Sequence, residues 1–156
     1  MAGRIEAKLA ELGIALPPAQ KPVATYVPYV ITGSLVVVSG QLPMVDGKLG
    51  WAGLLGQDVS DEDGAAAARQ CLLNVFAHLN AAVEGDLDRV ARVVRLGGFI
   101  ACVPSFTRHP QVMNGASDLA VAVFGEAGRH ARSTIGVPSL PLNAAVEVEA
   151  MFEIDA

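Results

Sequence analysis

Cysteine is scarce in this 156-residue chain, where Cys71 and Cys102 are the only two. Two are too few for a disulfide framework and fit a reducing compartment. Aromatic residues make up 5% and charged residues 17%. With one Trp, two Tyr and five Phe, there are few platforms on which nucleic-acid bases could stack. Eleven basic against sixteen acidic residues give a net charge of −5, so the cationic footprint that grips duplex phosphates is missing. No run of about 18 apolar residues exists, which excludes a membrane-spanning helix. The first residues, Met1-Ala2-Gly3-Arg4-Ile5-Glu6, carry an acid and a helical pattern where a signal peptide would carry an apolar core. The expectation is a cytoplasmic protein.

The strong catalytic motifs are missing as well. There is no CxxC pair, no HExxH, no GxxxxGK[ST], no GxSxG, and no GxGxxG after a strand. His78, His109 and His130 lack metal-ligand spacing, and His78 and His109 read as surface or capping residues. Cys71 sits on an apolar helical face and Cys102 in an apolar strand, the setting of core residues rather than nucleophiles.

What is present is apolar mass. Apolar types reach 52% and the mean hydropathy is +0.42, enough for one domain with a real core. Such apolarity in a short chain also points to surface buried between subunits. Ile5, Leu9 and Leu12 mark a short amphipathic helix, and Pro17, Pro18 and Pro22 make 14–22 an extended connector. The chain therefore divides into residues 1–22, a helix with its connector, and a single domain over 23–156.

Val23–Thr32 and Leu35–Gly40 read as a hairpin turning at Gly33-Ser34. Asp46-Gly47 marks a second turn, between Leu42–Val45 and Leu49–Leu55. Ser60 caps a helix that runs to Glu84 and stops at Gly85. Val90–Val103 reads as a buried strand, with a bulge at Gly97-Gly98. His109-Pro110 opens a second helix that ends at Gly125. Ala144–Ile154 alternates, with Val146, Val148, Ala150, Phe152 and Ile154 on one face and Glu147, Glu149, Met151 and Glu153 on the other. This order gives an α+β layer architecture, a sheet with two long helices on one face.

One region concentrates polar groups: Arg132-Ser133-Thr134, then Ser139-Leu140-Pro141, then Val146-Glu147-Val148-Glu149. An Arg at a strand start and a Glu on an adjacent strand can face one pocket across a hairpin. They can equally form a surface ion pair of little energetic weight. Spacing alone leaves both readings open.

This segment resembles the C-terminal signature of the Rid/YjgF family, the reactive-intermediate (enamine/imine) deaminases, some of which are labelled endoribonucleases. The likeness continues upstream in Pro28-Tyr29-Val30, Val38-Ser39-Gly40-Gln41-Leu42-Pro43, Ala68-Arg69-Gln70 with Asn74-Val75, and Asn114. Together these cover residues 24–154 in order. The resemblance implies a chorismate-mutase-like fold: a homotrimer with an inner barrel of sheets, helices outside, and a site in each subunit interface. It implies that Arg132 holds a small substrate's carboxylate and that Glu147 positions the attacking water. Ser39, Gly40 and the Thr134 backbone would line the pocket, with Tyr29 reaching it from near the interface. The implied reaction is hydrolysis of 2-enamino or 2-imino acids to 2-keto acids and ammonia, with no metal or cofactor, no nucleic-acid partner and no membrane.

Plainer roles stand beside these: Tyr29 as a strand aromatic, Ser39 as a turn residue, Asn114 as a structural hydrogen-bonding group, Glu149 as barrel-lining. Departures from the family pattern are Thr134 where Cys is frequent, His130 where Pro is frequent, a short Tyr29–Ser39 connection, and the additional residues 1–22. They resemble a longer branch of the family. The alternatives to a deaminase are a trimeric protein that binds small carboxylates without turnover, and an endoribonuclease, against which the acidic balance and sparse aromatics argue.

Overall fold

Local chemistry decides where the long helices begin and end. In the computed structural model, which describes residues 3–21 and 25–155, helix α2 spans Asp61–Ala82. The Ser60 hydroxyl accepts from the Asp63 amide at 3.1 Å, and three acids fill the first turn, at the positive end of the helix dipole. Past the last turn, Glu84 and Gly85 both take positive φ. Helix α3, His109–Phe124, has Pro in its first turn and Gly125 at its end. The two helices cross backbone to backbone: a β-carbon on Gly115 would run into the Ala65 carbonyl. Only glycine permits that approach.

Strands β1 (Tyr29–Thr32) and β2 (Leu35–Gln41) form the expected hairpin over Gly33-Ser34. A two-strand ribbon, β3 (Met44–Val45) and β4 (Lys48–Leu49), closes through Asp46 and Gly47. Both of these residues have positive φ, the requirement of a tight primed turn. Then come β5 (Val90–Ala101), β6 (Ala131–Val137) and β7 (Val146–Ile154). The main sheet runs β1-β2-β7-β5-β6, antiparallel except for β5 and β6, which are parallel and joined through α3.

The alternation read for β7 holds throughout. Val146, Val148, Ala150, Phe152 and Ile154 are all buried beneath the helices. Phe76 of α2 packs edge-on against Phe124 at 5.5 Å and tilted against Phe152 at 6.3 Å. Burying one such ring is worth about 1.5–3 kcal/mol. No described element covers the opposite face of the sheet, which leaves Val30, Val37 and Ile135 exposed.

Several expectations needed correction. Strand β1 begins only at Tyr29; residues 25–28 are irregular, and 23–24 lie outside the described residues. The run expected over Leu49–Leu55 ends at Leu49, after which only isolated bridges form, Ala52 to Ala144 and Leu55 to Val59 and Cys102. The bulges of β5 fall between Val90 and Arg92 and between Val93 and Arg95. Gly97 and Gly98 pair in register; their missing side chains make room for Glu149 and for Met113 with Thr134. His78 is no surface residue, being 2% exposed.

Helix α1 (Arg4–Glu11) is fastened from a distance. The Asp88 carboxylate accepts from the amides of Arg4 and Ile5, both at 2.8 Å. Ile5 and Leu9 are buried below it. Leu12 and Ile14 then follow a groove lined by Arg69 of α2 and by Gly115 and Asp118 of α3. This segment thus lies on the outer side of the helix pair.

Candidate active site

Strand β6 forms one edge of the sheet. Arg132 stands opposite Leu96, which stands opposite Ala150; both partners are buried, so Arg132 projects on the helix-covered side. There its Nη1 donates to Asn114 Oδ1 at 2.8 Å and to Ser117 Oγ at 3.1 Å. Asn114 and Ser117 sit one turn apart on α3.

The chain of bonds continues. His130 Nδ1 lies 2.6 Å from the Gly128 carbonyl, and its Nε2 lies 2.9 Å from Ser117 Oγ. A carbonyl only accepts, so Nδ1 carries the proton, and in the neutral ring Nε2 accepts from the Ser117 hydroxyl. Ser117 can then offer its lone pair to Arg132. The guanidinium is therefore held by neutral groups through one nitrogen. Among the described residues no carboxylate lies within 4.0 Å of it. The surface ion pair left open by spacing is not formed.

Thr134 lies on the same side as Arg132, with its hydroxyl 3.3 Å from the Gly98 carbonyl. Glu147 lies on the other side. It stands opposite Phe99, which stands opposite Ile135, on the uncovered face. Its carboxylate lies over Gly40, where a β-carbon would come within 2.5 Å of Oε1. A register shift between Val38 and Gln41 sets two β2 residues, Ser39 and Gly40, against one of β7, Glu149, and Gly40 sits inside that bulge. Partial burial, with Glu149 as a second cause, pushes the Glu147 carboxyl above its ordinary pKa. Glu149 itself meets Arg95 at 3.7 Å. Ser39 donates its hydroxyl to the Val27 carbonyl at 2.7 Å.

The structure thus brings Ser39, Gly40 and Glu147 together. It sets Arg132, Thr134, Asn114, Ser117 and His130 together elsewhere. Strand β5 intervenes between β6 and β7, so no hairpin joins Arg132 to Glu147, and the two side chains leave opposite faces of the sheet. Tyr29 pairs with the buried Val38, which puts it on the helix side of β1, at the other edge. Ser117 was missed by sequence reasoning, although its spacing from Asn114 on an apolar helix was a usable signal.

On the helix side of Gly40, a cavity of about 260 Å³ is lined by Tyr26, Pro28, Asn74 and His78. Asn74 donates to the carbonyls of Leu42 and Met44 at 2.9 and 3.1 Å, which fixes the segment after β2. Burial holds the His78 imidazole below its usual pKa. Among the described residues, no three His, Cys, Asp or Glu side chains gather closely enough to hold a metal ion. No described helix is long and apolar enough to cross a membrane.

Comparison with known proteins gives a consistent result. The chain is 51% identical over 154 residues to protein TCP17 of Trypanosoma cruzi, covering 98% of this chain and 96% of that one. It is 30% identical over 142 residues to a 2-iminobutanoate/2-iminopropanoate deaminase of Dermatophagoides farinae, covering 91% and 95%. The crystal structure of Atu1372 from Agrobacterium tumefaciens, described as of unknown function, superposes with a TM-score of 0.91 at 50% identity, covering 97% and 92%. Residues 6–154 match the family described as "YjgF/chorismate_mutase-like, putative endoribonuclease". With the α+β sheet, the helix pair and the ordered motifs in place, the chain belongs to the YjgF/chorismate-mutase-like family.

Proposed function

We propose that this protein hydrolyses small 2-enamino and 2-imino acids to 2-keto acids and ammonia, in a cleft between subunits of a homotrimer. The observation that carries the reading is the state of Arg132: a guanidinium anchored through Nη1 by neutral partners, with no carboxylate of the described residues within 4.0 Å. Such a group has the remaining edge of its planar fork free for a ligand carboxylate. The relative named as an iminobutanoate/iminopropanoate deaminase supports the choice of substrate.

The division of groups between two faces supports an assembly. Within one chain Arg132 and Glu147 cannot address the same small molecule. If the β6 edge of one subunit lies against the uncovered face of its neighbour, Arg132 of the first and Glu147, Gly40 and Ser39 of the second come to share a cleft. The exposed Val30, Val37 and Ile135 would be buried by the same contact. Tyr29, at the β1 edge, would border it.

In such a cleft Arg132 would fix the substrate carboxylate and orient the adjacent C=N carbon. Glu147 would take a proton from water as its oxygen bonds to that carbon. It would return that proton to nitrogen, giving a carbinolamine. It would then carry the hydroxyl proton to nitrogen as the C=O bond forms and the C–N bond breaks, releasing ammonia and leaving the 2-keto acid. A carboxyl held above its ordinary pKa suits these transfers, because its proton affinity lies nearer neutrality. An enamine would first gain a proton at C3 and lose one from nitrogen to become the imine.

The test is the disappearance of freshly generated 2-iminopropionate with wild type, Arg132→Ala and Glu147→Gln, beside light scattering of each. Acceleration by wild type alone is expected, with all three trimeric. Binding of 2-keto acids without any acceleration would instead favour the carboxylate-binding alternative.

A further inference from the structure

At the far end of β6, a second pair of reactive side chains meets a second cavity. Cys102 follows β5, and its Sγ lies 3.6 Å from Nε2 of His109, the first residue of α3. The His109 ring is held edge-on by Phe106, with centroids 5.2 Å apart. Both side chains open onto a cavity of about 590 Å³, walled by Leu54, Val103, Phe106 and Val137, with Gln57 as its amide. Neither residue takes part in the candidate active site. Gly136, which faces the pair, is four residues beyond Arg132, roughly 13 Å along the strand.

Gly136 keeps the pair in contact. A β-carbon there would fall 2.7 Å from Cys102 Sγ and 2.7 Å from His109 Nε2. The second cysteine, Cys71, has no such setting: it is fully buried in the apolar core, with its Sγ 3.5 Å from the Val146 carbonyl.

We propose that Cys102 and His109 form a second reactive site, in which the Cys102 thiol adds to the β-carbon of small, apolar α,β-unsaturated carbonyl compounds. The thiol proton passes to His109 Nε2 as the bond from sulfur to the β-carbon forms. The π electrons of the C=C bond move onto the α-carbon and carbonyl. The imidazolium then returns the proton to the α-carbon, leaving a saturated carbonyl joined to the protein by a thioether. No oxidant, reductant or metal enters this balance.

Three features select this chemistry. Burial raises the Cys102 pKa above its ordinary value, so the thiol is protonated at neutral pH and needs a base within reach, which His109 is. Sulfur, once deprotonated, is a soft nucleophile of high intrinsic reactivity when its pKa is high. Among the described residues, the cavity lining contains no Lys, Arg, Asp or Glu side chain, so a neutral electrophile fits where an anionic 2-keto acid would be poorly solvated. Gln57 supplies one amide for one carbonyl oxygen.

The experiment uses the full chain and methyl vinyl ketone, with adducts read by intact mass and peptide mapping and rates compared with N-acetylcysteine at the same pH. Wild type should take one adduct, on Cys102, faster than N-acetylcysteine, while Cys71 stays unmodified. His109→Gln should slow that adduct at least tenfold, since loss of a positioned base typically costs 10²–10⁴-fold. Gly136→Ala should slow it comparably by wedging the two groups apart, with both reactive side chains retained. If His109→Gln does not fold in a thermal melt, Gly136→Ala decides. A wild-type rate no greater than that of N-acetylcysteine, or an unchanged rate in a folded His109→Gln, would overturn the proposal. Neither result would touch the Arg132 reading, which these variants leave intact.

Discussion

Replacing Arg132 by alanine isolates the carboxylate anchor from the fold. Arg132 is only half-buried, and its fixed contacts are two hydrogen bonds from Nη1 to Asn114 and Ser117. Its loss leaves Asn114, itself exposed, open to water, so the melting temperature should move little. Ligand affinity should move a great deal. A hydrogen bond to a charged group contributes about 1.5–3 kcal/mol, and 1.4 kcal/mol is a factor of ten. Arg132→Ala should therefore weaken pyruvate and 2-ketobutyrate binding roughly 10- to 150-fold. Arg132→Lys should recover only part of this, because an ammonium lacks the planar fork. Asn114→Ala removes one support and keeps the charge, so its loss should be near fivefold, about 1 kcal/mol. Calorimetric titration of both keto acids, beside a melt of each variant, measures these terms. Unchanged affinity in a folded, trimeric Arg132→Ala would refute the anchor, whatever the family resemblance implies.

Glu147→Gln should leave keto-acid affinity within a few-fold of wild type and lower turnover at least a hundredfold, seen in the imine-hydrolysis rate. It also has a stability signature. A carboxyl whose folded pKa is raised binds more protons folded than unfolded in the window above its ordinary value, so native stability falls as pH rises through that window. Glu147→Gln should melt higher than wild type at neutral pH, with the gap closing on acidification; a constant gap would contradict this. Asp88 works in the opposite sense. Its carboxyl is held below the usual range by the Ile5 and Arg4 amides, so the stability it lends is present above the unfolded pKa and is lost as pH falls through the depressed one. Asp88→Ala should cost about 1 kcal/mol, as an N-cap does, and speed amide exchange in α1. Gly115→Ala should destabilise by about 1–3 kcal/mol, by pressing a β-carbon into the Ala65 carbonyl where α2 and α3 cross; an unchanged melt would mean that the helices are free to part. Ile135→Asp should dissociate the proposed trimer in light scattering and abolish keto-acid binding although Arg132 is untouched.

How much of this was legible in the sequence follows the reach of each interaction. Ser60 before three acids, Pro110 in a first helical turn, and Gly125 at a helix end act over a few residues; both helices begin where expected and α3 stops at Gly125, while α2 ends at Ala82, two residues short of Glu84. The alternation of Val146 to Ile154 is equally local, and it fixed which residues of β7 enter the core. The site depends on something that no local pattern carries. Residues 138–145, with Leu142 and Asn143 at positive φ, lead the chain from β6 past β5 to the far side of it. Arg132 and Glu147 therefore differ in facing although they lie on consecutive strands. Each strand's parity was readable; the relation between the two parities was set by the interposed strand. The pairing of Cys102 with His109 was hidden for the same reason, since seven residues of loop bring a strand end and a helix start together with no periodicity to announce it.

The facing of these groups also limits how a site on this fold can work. A carboxylate anchor on the covered side of an edge strand, and a proton-transferring acid on the open side two strands inward, are separated by the sheet itself. Two neighbouring strand spacings of about 4.8 Å put β6 and β7 roughly 10 Å apart before the opposed side chains are considered. A 2-imino acid, with its carboxylate bonded directly to the reacting carbon, cannot bridge that distance. If the chemistry proposed for Arg132 and Glu147 occurs, it occurs between copies of the chain. Mixing Arg132→Ala with Glu147→Gln subunits, each inactive alone, should then restore activity at those interfaces that pair an intact Arg132 with an intact Glu147. For random trimers mixed in equal parts, the subunits on the two sides of an interface are independent. An interface requiring one named subunit type on each side is then regained in about one quarter of cases, by a symmetric-assembly argument. Recovery near one quarter of wild-type turnover after denaturation and co-refolding would place the two groups in different subunits. No recovery, from mixtures shown by mass to contain mixed trimers, would mean that both groups serve one site from the same chain, and the facing argument would fail.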